Sequence, residues 1–83
     1  MSYEKLTQVQ SQIVVGTKQC LKAIRNNLAK EVYIATDAEE RLTGSVVELA
    51  KAFDLPLYRV DSMKKLGATC GIEVGTSTVV VKK

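Results

Sequence analysis

Apolar residues recur along the chain in two rhythms. Ile13-Val14-Val15, Glu31 to Thr36, Leu57 to Val60 and Thr76 to Val81 are short runs rich in β-branched and aromatic residues, the composition of strands. Between them the apolar positions fall three and four apart, as on one face of a helix. Leu42, Val46, Leu49, Ala50 and Phe53 predict such a helix, ended by Asp54-Leu55-Pro56 because proline disfavours helical geometry in the residue before it. Asp37 is placed to cap its start, with Glu40 three residues on completing a capping box. Thr17 to Leu28 reads as another helix. Ser62 caps a short one that stops at Gly67, and Tyr3 to Ser11 forms a short polar one with Leu6 and Val9 turned inward. Gly44, inside a helical stretch, costs roughly 1 kcal/mol relative to alanine, so it reflects either close packing or tolerance.

The resulting order is α-β-α-β-α-β-α-β. It predicts an α/β fold, a three-layer α-β-α sandwich around a four-stranded mixed sheet. With 83 residues, 46% of them hydrophobic and 25% charged, the chain suffices for one compact domain over residues 1–83, expected as a monomer. Met1 to Gln12 lacks the apolar stretch of a signal sequence, and the longest apolar runs are too short to cross a bilayer, so a cytoplasmic protein is expected. Histidine is absent, which excludes a Cys–His or Ser–His catalytic pair. Cys20 and Cys70 alone cannot build a zinc site and are expected as buried free thiols. No enzyme activity, metal or cofactor is anticipated.

Charge adds a direction. Twelve basic residues against nine acidic ones leave +3, a mild bias toward polyanions whose meaning depends on placement. On a helical wheel of Thr17 to Leu28, Cys20, Leu21, Ile24 and Leu28 share one side. Lys18, Lys22 and Arg25 line the neighbouring side, with Gln19 and Asn26 beside them. Gly16 and Thr17 start this helix directly from a strand, where free N–H groups and the positive end of the dipole can receive a phosphate. Lys18 in the first turn opposes that dipole, so local stability does not account for it. Two readings stay open: a solvated basic face, or a surface for an anionic partner. The segment Leu66 to Gly75 holds three of the five glycines, and Gly71 and Gly75 bracket Ile72-Glu73-Val74. Those apolar side chains are either tucked into the core or presented to a flat apolar object such as an unstacked base.

Two segments, G-T-K-Q-C-L-K-A-I from Gly16 and S-M-K-K-L-G-A-T-C-G-I-E-V-G from Ser62, resemble the bacterial branch of the L7Ae/L30e ribosomal protein family. The similarity extends over nearly the whole chain. It implies a protein that binds kink-turn RNA, in which a bulge flanked by tandem sheared G·A pairs bends the duplex and opens a major groove otherwise too narrow for side chains. The family's helix motif in other branches is G-x-N-E-x-x-K. Gly16 and Lys22 match it, whereas Lys18 and Gln19 replace the asparagine and glutamate. The resemblance implies that Lys18, Gln19 and Lys22 read guanine edges and that Ile72, Glu73 and Val74 pack on the looped-out nucleotide. Lys18, Lys22, Arg25 and Lys64 would meet phosphates, and a further phosphate would dock on the N–H groups at Gly16 and Thr17. The implied partner is a structured RNA, with the ribosome or a regulatory leader as host. The alternative is a protein-interaction module of the same fold, with the loop residues as its anchor.

Overall fold

A computed structural model describes residues 12–72 and 74–83; the helix expected at Tyr3 to Ser11 lies outside them. Its elements are β1 (Ile13–Val15), α1 (Thr17–Arg25), β2 (Ala29–Ala35), α2 (Glu40–Ala52), β3 (Leu57–Val60), α3 (Met63–Thr69) and β4 (Thr78–Lys82). The strands form one sheet in the order β1-β4-β2-β3. β4 runs antiparallel to both β1 and β2, and β3 runs parallel to β2, so the sheet is mixed as expected.

The two central strands are covered on both faces, which is why they read as nearly continuous apolar runs. Successive residues alternate between faces. Val32, Ile34 and Val80 meet Cys20, Ala23 and Ile24 of α1 and Val46 and Ala50 of α2 on one side. Tyr33, Ala35, Val79 and Val81 meet Leu66 of α3 on the other, with Val60. These are the three layers of the sandwich. Among the described residues, no helix is long and apolar enough to cross a membrane.

The three helices of the described residues end in the same way, with a residue in the left-handed region and paired 6→1 and 5→2 hydrogen bonds. At α1, Leu28 N–H donates to the Ala23 carbonyl and Asn27 N–H to that of Ile24, both at 3.0 Å, with Asn27 at φ 58°. At α2, Leu55 donates to Ala50 at 2.9 Å and Asp54 to Lys51 at 3.1 Å, with Asp54 at φ 56°. At α3, Ile72 donates to Gly67 and Gly71 to Ala68, both at 3.1 Å, with Gly71 at φ 80°.

These terminations correct several expected boundaries. α1 stops at Arg25, because Asn27 adopts the left-handed turn, and Leu28 lies half exposed outside the core. α3 continues through Gly67 to Thr69, and Gly71, not Gly67, turns the chain. The buried stripe of α2 is Thr43, Val46 and Ala50, whereas Leu42 and Phe53 are largely exposed. Gly44 faces open space, so it is tolerated and not required by packing. Cys20 is buried as expected, but Cys70 is only half-buried. The capping box is absent: α2 starts with Glu39 at its N-cap and no side-chain cap. Asp37 instead accepts a hydrogen bond from Met63 N–H at 2.9 Å, because the parallel pairing of β2 with β3 brings the two following turns together.

Candidate nucleic-acid interface

The strand ends β1, β2 and β3 and the start of β4 gather at one end of the sheet. α1 leaves β1 there through Gly16, whose φ of 100° and ψ of 143° suit glycine alone. Gly16 N–H donates to the Thr78 carbonyl at 3.1 Å, and its own carbonyl accepts from Cys20 N–H at 2.9 Å. Having no side chain, Gly16 leaves the first-turn N–H groups uncapped and available to a ligand or to water.

The helix is anchored by its inner face. Cys20 and Ile24 are fully buried, and the Cys20 thiol donates to the Val14 carbonyl at 3.3 Å. Burial pushes this thiol up to about 12, so it stays protonated and unreactive at neutral pH. Lys18, Gln19, Lys22 and Arg25 are exposed, and with Asn26 they line one shallow concavity. The only ion pair among the described residues joins Arg41 to Glu39 at 2.8 Å, so no described carboxylate neutralises the three cations of α1. Lys22 and Arg25 sit in the last turn, where they complement the helix dipole. Lys18 sits in a first turn without an acidic residue, where its charge is opposed.

The loop after α3 reaches the same end of the sheet. Its backbone lies directly on α3: a Cβ at Gly67 would overlap the Val74 carbonyl oxygen, and one at Gly75 would come within 3.2 Å of the Met63 carbonyl. Thr76 N–H donates to the Met63 carbonyl at 3.1 Å, and Ala35 N–H donates to that of Ser77 at 3.0 Å. Between these attachments the two apolar side chains divide. Ile72 is half-buried, whereas Val74 is 72% exposed. Glu73 lies outside the described residues.

The loop and α1 meet through the Thr17 Oγ1 and Ser77 Oγ hydroxyls, 3.1 Å apart. Gly16, Thr17, Lys18 and Gln19 therefore open onto the end of the sheet that carries the loop, and Lys22 and Arg25 continue the flank along α1. Lys64 is exposed in the first turn of α3, next to the Met63 peptide that holds the loop. Ser77 was not anticipated from the sequence. Its signal is the hydroxyl run Thr76-Ser77-Thr78 just before three valines, where buried hydrogen bonding from Thr76 Oγ1 to the Thr78 carbonyl (3.0 Å) ties the bend.

Comparison with known proteins agrees with the resemblance noted in the sequence. A relative from Halalkalibacterium halodurans, named as an RNA-binding protein, is 51% identical over 83 residues and covers the full length of both chains. Another RNA-binding protein, from Bacillus pumilus, is 49% identical over 81 residues, 98% of each chain. Among solved structures, the Giardia lamblia 15.5kD RNA binding protein superimposes with a TM-score of 0.88 at 25% identity, covering 99% of this chain and 73% of its own. The profile of the ribosomal protein L7Ae/L30e/S12e/Gadd45 family matches residues 1–83, and the chain belongs to that family.

Proposed function

We propose that the chain binds kink-turn RNA, with the start of α1 in the opened major groove and the loop after α3 against the looped-out nucleotide. The carrying observation is the Thr17–Ser77 contact, which sets a helix flank whose cations pair with no carboxylate among the described residues beside a loop with an exposed valine. A phosphate suits the uncapped N–H groups after Gly16. Lys18 and Lys22 can donate to guanine O6 and N7, each good contact being worth about 1–3 kcal/mol of discrimination. Gln19 can accept from a guanine amino group and also donate, more weakly than a carboxylate accepts. Arg25 and Lys64 add phosphate contacts and with them salt sensitivity. Val74, exposed, and Ile72, half-buried, offer apolar surface to an unstacked base. The names of the relatives support RNA as the class of partner. Binding would draw the RNA toward its bent form, since the ligand makes these contacts with that form alone. The host would be a ribosomal or regulatory RNA.

The test compares a kink-turn with the same duplex after both G·A pairs are made Watson–Crick, at one fixed salt concentration. Preference for the kink-turn is expected. Equal affinity for the two would overturn the reading and favour a protein partner for this surface.

A further inference from the structure

We infer that Asp37 is a positioning residue for the loop that carries Val74, acting through the backbone of Met63. The inference rests on the proposal that this loop meets RNA. Asp37 lies in the turn between β2 and α2, away from the loop in sequence, and its carboxylate is engaged with the start of α3: Oδ1 accepts from Met63 N–H at 2.9 Å. The carbonyl of the same residue accepts from Thr76 N–H at 3.1 Å and packs against Gly75. Met63 is thus gripped from both sides, by Asp37 at its N–H and by the loop at its carbonyl.

The helix needs that grip. α3 has only seven residues, and a helix so short is marginal without outside contacts. Two N–H groups of its first turn find acceptors in the described structure outside the helix: Lys65 at Ser62 Oγ, 3.2 Å away, and Met63 at Asp37. A carboxylate there also meets the positive end of the helix dipole. Releasing Met63 N–H loosens the first turn, and the carbonyl that anchors Thr76 moves with it. The next attachments of the loop, Ile72 N–H to Gly67 and Ser77 to Ala35 and Thr17, lie on either side of Val74 and do not pass through Met63. Asp37 is exposed, so its loss spares the core.

Hydrogen exchange on the free protein and RNA binding together test this. In Asp37→Ala, the Thr76 amide should exchange about tenfold faster, the loss of roughly one hydrogen bond's worth of protection, while the Ile72 amide changes little. Asp37→Asn keeps the acceptor oxygen and should restore most of the protection. Asp37→Ala should weaken kink-turn binding several-fold, and that penalty should vanish on a target whose looped-out nucleotide is abasic. Unchanged Thr76 exchange would overturn the inference, as would an equal penalty on the abasic target. If the wild-type protein shows no kink-turn preference, the proposed function falls, and the exchange comparison still decides whether Asp37 holds the loop.

Discussion

The two halves of the proposed interface are built on different principles. The flank of α1 belongs to a helix whose opposite face is sunk in the core through Cys20, Ala23 and Ile24. Its exposed side chains are placed by helical geometry and do little to hold the molecule together. The described residues of the loop after α3 lie outside helix and strand. The loop's shape comes from backbone contacts with Gly67, Met63 and Ala35 and from a hydroxyl contact with Thr17. Changes on the helix flank should therefore alter binding and spare stability. Changes beneath the loop should alter stability first, and binding as a consequence.

The largest expected effect sharpens that contrast from the loop side. Gly67→Ala would gain about 1 kcal/mol in helix propensity but must displace the Val74 carbonyl, an overlap with backbone that no rotamer relieves. Overpacking costs about 1–3 kcal/mol, and an overlap with backbone lies at or beyond the upper end, so the clash outweighs the gain. A fall in Tm of about 4–8 °C per kcal/mol should be visible by calorimetry, with kink-turn affinity falling alongside. A Tm at or above that of the wild type would show that the loop is not pinned there.

From the helix side, Lys22→Ala should weaken kink-turn binding more than tenfold, the loss of one guanine or phosphate contact of about 1–3 kcal/mol. Its thermal midpoint should move little. Affinity retained at physiological salt would move the binding face away from α1. Val74→Ser comes next: it removes an exposed apolar side chain, so stability should hold and binding should weaken by about fourfold, the ~0.8 kcal/mol that one buried methylene contributes. An abasic target should be indifferent to this substitution in a filter-binding assay.

Two smaller effects mark the edges of the comparison. Gly44→Ala meets open space and should stabilise by up to about 1 kcal/mol, read from the denaturation midpoint, without touching binding. Lys83→Ala removes a contact with Asn27 Oδ1 (3.1 Å) at the other end of the sheet, and its kink-turn affinity should match the wild type. A clear loss there would place the RNA at the wrong end of the molecule.

The elements were legible because the apolar pattern is strong. Leu57 to Val60 and Ile13 to Val15 match their strands residue for residue, and the alternation of Val32, Tyr33, Ile34 and Ala35 follows from burial on both faces. The ends of the helices were less legible. Asn27 takes a left-handed conformation that its neighbours in sequence do not announce, whereas Pro56 did announce the end of α2 at Asp54, and Gly67 looked like a terminator when its role is to let another stretch of backbone approach. Asp37 shows the limit most clearly. Local spacing pointed to Glu40 and a capping box, but its partner is 26 residues away, set by a parallel strand pairing that no local window contains. The basic flank of α1 was readable from helical spacing. Its apposition to the loop was not, since Thr17 and Ser77 stand 60 residues apart.

The position of β4 has a consequence for the birth of the molecule. It is synthesised after every other described strand, yet it occupies an interior place in the sheet, between β1 and β2. Until it emerges from the ribosome, β1 has no neighbour among the described strands, and only the β2–β3 pair can assemble. Such non-local closure comes late, because the entropy of bringing distant segments together is lost before contacts repay it. Ser77, the residue that joins loop to helix, stands immediately before this strand. Pairing of β4 would thus close the described sheet and bring the two halves of the proposed RNA surface together in one step.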